Sequence, residues 1–120
     1  MKAAHKSRVY TDRPAYADFA RLTSSKKGKP KGPTETEIQN AIRDFLRWRG
    51  WFVIRHQQGL GSHKGLSDLT AIKGGKTVYI EVKRPMGKQS EWQLDFQADI
   101  EAHGGLYVVA RSVEDVEFLQ

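Results

Sequence analysis

Asp68, Glu81 and Lys83 are the residues whose types and spacing can do chemistry. They stand on two β-rich runs, 67–73 and 76–83, separated by Gly74-Gly75. A Gly-Gly pair between such runs is a hairpin signal. With those glycines as the turn, Lys73 pairs with Lys76 and the register sets Asp68 opposite Glu81. The side-chain period of two then puts Leu69, Ala71, Val78, Ile80 and Val82 on one apolar face. Asp68, Thr70, Thr77, Tyr79, Glu81 and Lys83 share the other, with Ile72 as its aliphatic exception. Opposed residues on one face have Cβ atoms about 4.5–5.5 Å apart, and like charges there destabilise the pair. Two facing carboxylates therefore need a divalent cation or a positive side chain beside them. Lys83 meets part of that need, so a plain Asp-Glu-Lys salt-bridge cluster is one reading. It leaves unexplained the loops on either side, Gly-Ser-His-Lys-Gly at 61–65 and Lys-Arg-Pro-Met-Gly-Lys at 83–88. Basic loops beside an acidic pocket suit a polyanion presented to a metal.

Other candidates are weaker. Gly59, Gly61 and Gly65 miss the dinucleotide-loop spacing, Lys64 precedes its glycine, and a strand rather than a helix follows, so no nucleotide cofactor is expected. His63 reads as a solvated loop histidine, and His56 and His103 have no ligand partner at useful spacing. Glu35 is an acid in a first helical turn, a position the helix dipole favours in any case. Gln93 has capping-box spacing from Ser90, so capping and a role in the site are equally open to it.

The elements that must position these residues follow in order. Thr34 and Glu37 have capping-box spacing, and Ile38, Ala41, Ile42, Phe45 and Leu46 recur at helical intervals until Gly50 stops the helix. Residues 51–56 are a strand by aromatic and β-branched content, 57–66 a loop, and 67–83 the hairpin. Pro85 ends strand pairing. Ser90 caps a second helix over 91–103, with Trp92, Phe96 and Ile100 on one stripe and Gly104-Gly105 ending it. A fourth strand spans 106–111, and a helical turn starts near Ser112. Helix, strand, strand, strand, helix, strand implies an α/β fold, one mixed sheet flanked by helices.

At 120 residues the chain is long enough for one core. It has no cysteine, hence no disulfide framework and no thiolate metal site. No apolar run has signal-peptide or membrane-spanning character, so a soluble cytoplasmic location is expected, or a nuclear one in a eukaryote. The net charge of +6 is uneven: residues 1–33 hold nine Lys/Arg against two acids, residues 34–120 eleven against twelve. Residues 1–33 read as a basic extension, with a short helix at 14–22 and a linker rich in Ser, Gly, Pro and lysine; residues 34–120 read as the folded domain. A basic arm of this kind suits nucleic acid, with a solubilising tail as the alternative.

The motifs Gly65-x-Ser67-Asp68 and Ile80-Glu81-Val82-Lys83 resemble the PD-(D/E)xK nuclease superfamily, with Ser67 where proline is more usual. The chain is most similar to the VRR-NUC branch (virus-type replication-repair nucleases), which is related to Holliday-junction resolvases. Thr34-Glu35-x-Glu37-Ile38-Gln39, Arg49-Gly50-Trp51, Glu81-Val82-Lys83-Arg84-Pro85, Ser90-x-x-Gln93 and Gly104-Gly105-x-x-x-Val109-Ala110-Arg111-Ser112 carry the resemblance across 34–116. It implies a restriction-endonuclease-like αβββαβ core and a Mg²⁺- or Mn²⁺-dependent endonuclease that cuts branched DNA, a junction or flap, in replication, recombination or repair. A bacterial or phage setting and a homodimer fit that implication. Asp68, Glu81 and the Val82 carbonyl would ligate the metal, with Glu35 reaching it through water. Lys83 would act on the attacking water and the phosphoryl charge, Gln93 would support the site, and the products would be a 5′-phosphate and a 3′-hydroxyl. Lys64, Arg84, Lys88 and, in the extension, Lys26, Lys27, Lys29 and Lys31 would hold the DNA backbone. Alternatives within the fold are an end-processing or single-strand nuclease and a catalytically silent nucleic-acid-binding module.

Overall fold

The structure, a computed structural model, describes residues 32–120. The short helix expected at 14–22 and the four lysines at 26, 27, 29 and 31 lie outside those residues. The first described helix, α1 (Glu35–Trp48), begins as its sequence requires: Thr34 Oγ1 accepts from the Glu37 amide at 3.1 Å, and Glu37 Oε1 accepts from the Thr34 amide at 2.8 Å. A reciprocal cap of this type satisfies two backbone donors at the helix end. The chain leaves α1 through Gly50, whose φ of 94° lies in the left-handed region that suits glycine.

Four strands follow: β1 (Phe52–Arg55), β2 (Leu69–Lys73), β3 (Lys76–Val82) and, after the helix α2 (Glu91–Ala102), β4 (Leu106–Ala110). The sheet order is β1-β2-β3-β4. The first three strands pair antiparallel, and β4 runs parallel to β3. A parallel neighbour needs a crossover, which α2 supplies. The β2–β3 register runs from Lys73↔Lys76 to Leu69↔Ile80, as the two-residue Gly74-Gly75 turn demands. Its next pair would be Asp68 and Glu81.

The two faces of the sheet are covered differently. On one, Leu69, Ala71, Val78, Ile80 and Val82 meet Ile38, Ile42, Phe45 and Leu46 of α1, together with Val113, Val116 and Leu119 from the 3₁₀ turn at Val113–Val116 and its end. Phe45 is fully buried, 6.0 Å from the Trp48 ring, with the Arg49 guanidinium 4.6 Å above its own ring. Phe45→Ala is expected to lower unfolding free energy by about 3–5 kcal/mol, measured by urea denaturation. On the other face α2 lies over polar and aromatic residues. Phe96 is the one α2 residue that is buried, edge-on to Tyr79 (5.8 Å) and Tyr107 (6.2 Å). Trp92, on the same stripe, is 56% exposed, because the sheet beneath the start of α2 carries carboxylates rather than an apolar floor. Among the described residues no helix is long and apolar enough to cross a membrane.

Candidate active site

Asp68, Glu81, Lys83 and Gln93 converge where β2 and β3 separate. Asp68 sits one residue before β2, and its side chain takes over the ladder: Oδ2 accepts from the Val82 amide at 2.8 Å. Its carbonyl accepts from the His56 amide at 2.9 Å. Its carboxylate is thus pinned between strands rather than free to swing into solvent. Glu81, on the covered face of β3, is 1% exposed. Its Oε2 accepts from Gln93 Nε2 at 2.6 Å and faces Lys83 Nζ at 3.4 Å. Its Oε1 is buried without a hydrogen-bond partner.

Electrostatics follow from that geometry. Burial, then the neighbouring Asp68, push the Glu81 carboxyl up to about 8, with Lys83 pulling the other way. Burial also raises Asp68, against the opposing effect of the Val82 amide. Two carboxyls this close in low dielectric do not both ionise unless compensated. Lys83, and Arg55 more weakly, answer part of the charge, and a proton held on Glu81 is shared with Asp68; with that proton gone, Glu81 Oε1 is left without a donor. A finished salt-bridge cluster would not leave it so. Tyr107, behind the pocket, is raised by burial and then by Glu81, so it stays a neutral phenol.

Gln93 reaches both the helix cap and Glu81. Its Oε1 accepts from the Ser90 amide at 2.9 Å while its Nε2 donates to Glu81. One side chain closes the α2 capping box and fixes the carboxylate, which locks its rotamer from both ends. Gly65 makes this possible on the loop side. Its φ is +77°, and an added Cβ would lie 2.0 Å from the Trp92 carbonyl oxygen and 2.9 Å from the Gln93 amide nitrogen. Gly65→Ala is therefore expected to push the first turn of α2 away from Glu81. It should destabilise the domain by about 1–3 kcal/mol in a denaturant melt, more than Gly59→Ala, where nothing stands within 4 Å.

The remaining candidates are distributed around this centre. Glu35 is exposed in the first turn of α1, and among the described residues no group of three or more His, Cys, Asp or Glu side chains stands together to hold a metal. Any part for Glu35 must be indirect. Lys64 and Lys88 are exposed and Arg84 half-buried, all on loops beside the pocket. The loop of Arg84 is held by Arg111, whose Nη1 donates to the Arg84 and Gly87 carbonyls at 2.7 Å each. His63 is exposed, its ring 5.4 Å from Phe96.

His56 is the neighbour that sequence spacing missed. It shares the pocket face with Asp68, and its Nε2 lies 2.5 Å from Thr70 Oγ1. Burial lowers its basicity, offset by Asp68. The signal was the β1–β2 register: Arg55↔Leu69 sets His56 opposite Asp68.

No protein-family model matches the chain, and no curated protein matches it. A search of solved structures finds one described as a VRR_NUC domain, with a TM-score of 0.60 and 22% identity. The match covers 71% of this chain and 91% of that one. The fold is that of a VRR-NUC domain. The expected α/β architecture, a mixed sheet with a helix on each face, is thereby borne out. The donor set also suits a hard divalent cation, which prefers oxygen ligands: two carboxylates, one with an orphaned buried oxygen.

Proposed function

We propose that the chain is a Mg²⁺- or Mn²⁺-dependent deoxyribonuclease that hydrolyses phosphodiesters in branched DNA. The observation that carries this reading is the buried, under-compensated Asp68–Glu81 pair with Lys83 and Gln93 on the same oxygen of Glu81. The shared fold supports it. Asp68, Glu81 and the Val82 carbonyl would hold the cation, with Glu35 contributing through water. Bound there, the ion would act as a Lewis acid on the phosphoryl group.

The chain's own residues do the rest. Gln93 keeps Glu81 oriented, so the pocket is preorganised rather than assembled on binding. Lys83 presents its ammonium at the pocket, where it orients the attacking water and stabilises charge on the phosphoryl oxygens. Water adds to phosphorus, the P–O3′ bond breaks, and the products carry a 5′-phosphate and a 3′-hydroxyl. Lys64, Arg84 and Lys88 take the flanking phosphates, joined by Lys26, Lys27, Lys29 and Lys31 of the extension. A symmetric dimer would allow paired cuts across a junction, and repair or recombination is the setting for such cuts.

The experiment is a cleavage panel of forked, duplex and single-stranded DNA with Mg²⁺, Mn²⁺ or chelator. The forked substrate is expected to be cut fastest, and only with metal. Preference for single strands would favour an end-processing role, and no cleavage with either metal would refute the nuclease reading. Removing residues 1–31 is expected to weaken DNA binding and flatten its dependence on salt. An unchanged salt slope would show that those lysines do not touch phosphates.

A further inference from the structure

An exposed tryptophan beside an acidic pocket needs a reason, because burying an indole is strongly favourable. Trp92 is 56% exposed although it immediately precedes Gln93, whose amide touches Glu81. Lys64 Nζ stands 4.4 Å from its ring centroid. The backbones that carry the pair are close-packed, since Gly65 lies so near the Trp92 carbonyl that no side chain fits between them. Two further large apolar side chains on the adjoining loops are left to solvent, Leu60 fully and Met86 at 90%. Single exposed apolar residues are ordinary. Three of them stand on the two loops and the helix start that adjoin the carboxylates in sequence, among Lys64, Arg84 and Lys88, and of these Trp92 and Lys64 are in contact.

We propose that Trp92, with Lys64 over its ring, is a stacking platform for an unpaired nucleobase next to the scissile phosphate. The inference rests on the nuclease reading and adds to it the feature of DNA that is recognised. Aromatic faces hold unpaired bases without regard to sequence, and the exposed Lys64 can yield the ring to a base and pair with the phosphate attached to it. A fully paired duplex keeps its bases stacked on each other and offers nothing to this surface, so the platform discriminates structure rather than sequence. Preference for forks over duplex then originates in Trp92, not in the carboxylates.

The test uses the full chain in chelator, so that no DNA is cut, and a forked DNA carrying 2-aminopurine at the first unpaired position. A paired duplex of the same sequence is the reference. The wild type is expected to quench 2-aminopurine on binding and to prefer fork over duplex. Trp92→Ala should remove the quenching and lower the fork-to-duplex affinity ratio about tenfold, with Trp92→Phe restoring most of both. Because the side chain is exposed, near-ultraviolet circular dichroism of the variants should report an intact fold. An unchanged ratio in Trp92→Ala, or equal loss on both DNAs, would overturn the platform. So would a wild type that binds neither DNA. If instead the ratio falls but the wild type cuts nothing with either metal, the platform stands and the nuclease reading fails.

Discussion

The metal-free protein is expected to lose thermal stability as the pH rises from about 5 to 9, and Mn²⁺ is expected to restore it. Glu81 is the main source. Its carboxyl titrates near 8 in the folded chain against an ordinary 4.5, so the folded state holds a proton that the unfolded state has released across that interval. Wherever the native state binds more protons, stability falls with rising pH. The contribution is fully present below about 4.5 and is gone once the pH passes 8; Asp68, also raised, acts in the same direction. A melting-temperature drop on the order of 10 °C between pH 5 and 9 is the expected size. A cation entering the pocket must displace that proton, so apparent metal affinity should climb about tenfold per pH unit until the pH reaches the Glu81 value. Glu81→Gln should flatten both profiles, because the neutral amide keeps the Gln93 and Lys83 neighbourhood without the buried charge. A wild-type melting temperature that is level across the range, with or without Mn²⁺, would show that the pair is not strained in the way its burial implies.

The second large effect concerns turnover. Lys83→Ala and Glu81→Gln are each expected to reduce cleavage at least 10²–10³-fold in single-turnover assays, with DNA affinity in chelator changed much less. The physical reasons differ. Glu81→Gln removes one of the two charges that would hold the proposed cation, whereas Lys83→Ala leaves two carboxylates facing each other with the ammonium beside Glu81 gone. Only the second variant should therefore become less stable in chelator at high pH. Gln93→Ala should fall between wild type and these two, since Glu81 keeps its place in β3 but loses the 2.6 Å contact that orients it.

Much of this architecture was readable from residue order. The hairpin register followed from two glycines and a period of two, and the structure carries it unbroken from Lys73↔Lys76 to Leu69↔Ile80. The α1 core stripe followed from spacing, and Thr34 and Glu37 marked its start. What spacing could not supply was what lies above or beside an element. Trp92, Phe96 and Ile100 form one helical stripe, yet only Phe96 finds an apolar floor, because Tyr79 and Tyr107 stand beneath it while carboxylates stand nearer Gln93. The part of His56 is not legible from spacing, because its neighbour Asp68 is on another strand. Gln93 looked like a choice between two roles because a one-dimensional pattern does not show that an amide has two ends. Glu35 is exposed in the first turn of α1, and among the described residues it forms no three-membered ligand cluster with Asp68 and Glu81.

The most direct test of the central claim is metal add-back on a forked DNA. Wild type and Glu81→Gln would be stripped with chelator and then given Mg²⁺ or Mn²⁺ at pH 8, and the cut ends would be mapped. Wild type is expected to cut only after metal is returned, leaving 5′-phosphates, and Glu81→Gln is expected not to cut with either ion. Cleavage that survives in chelator, or that Glu81→Gln performs as fast as wild type, would contradict the central claim.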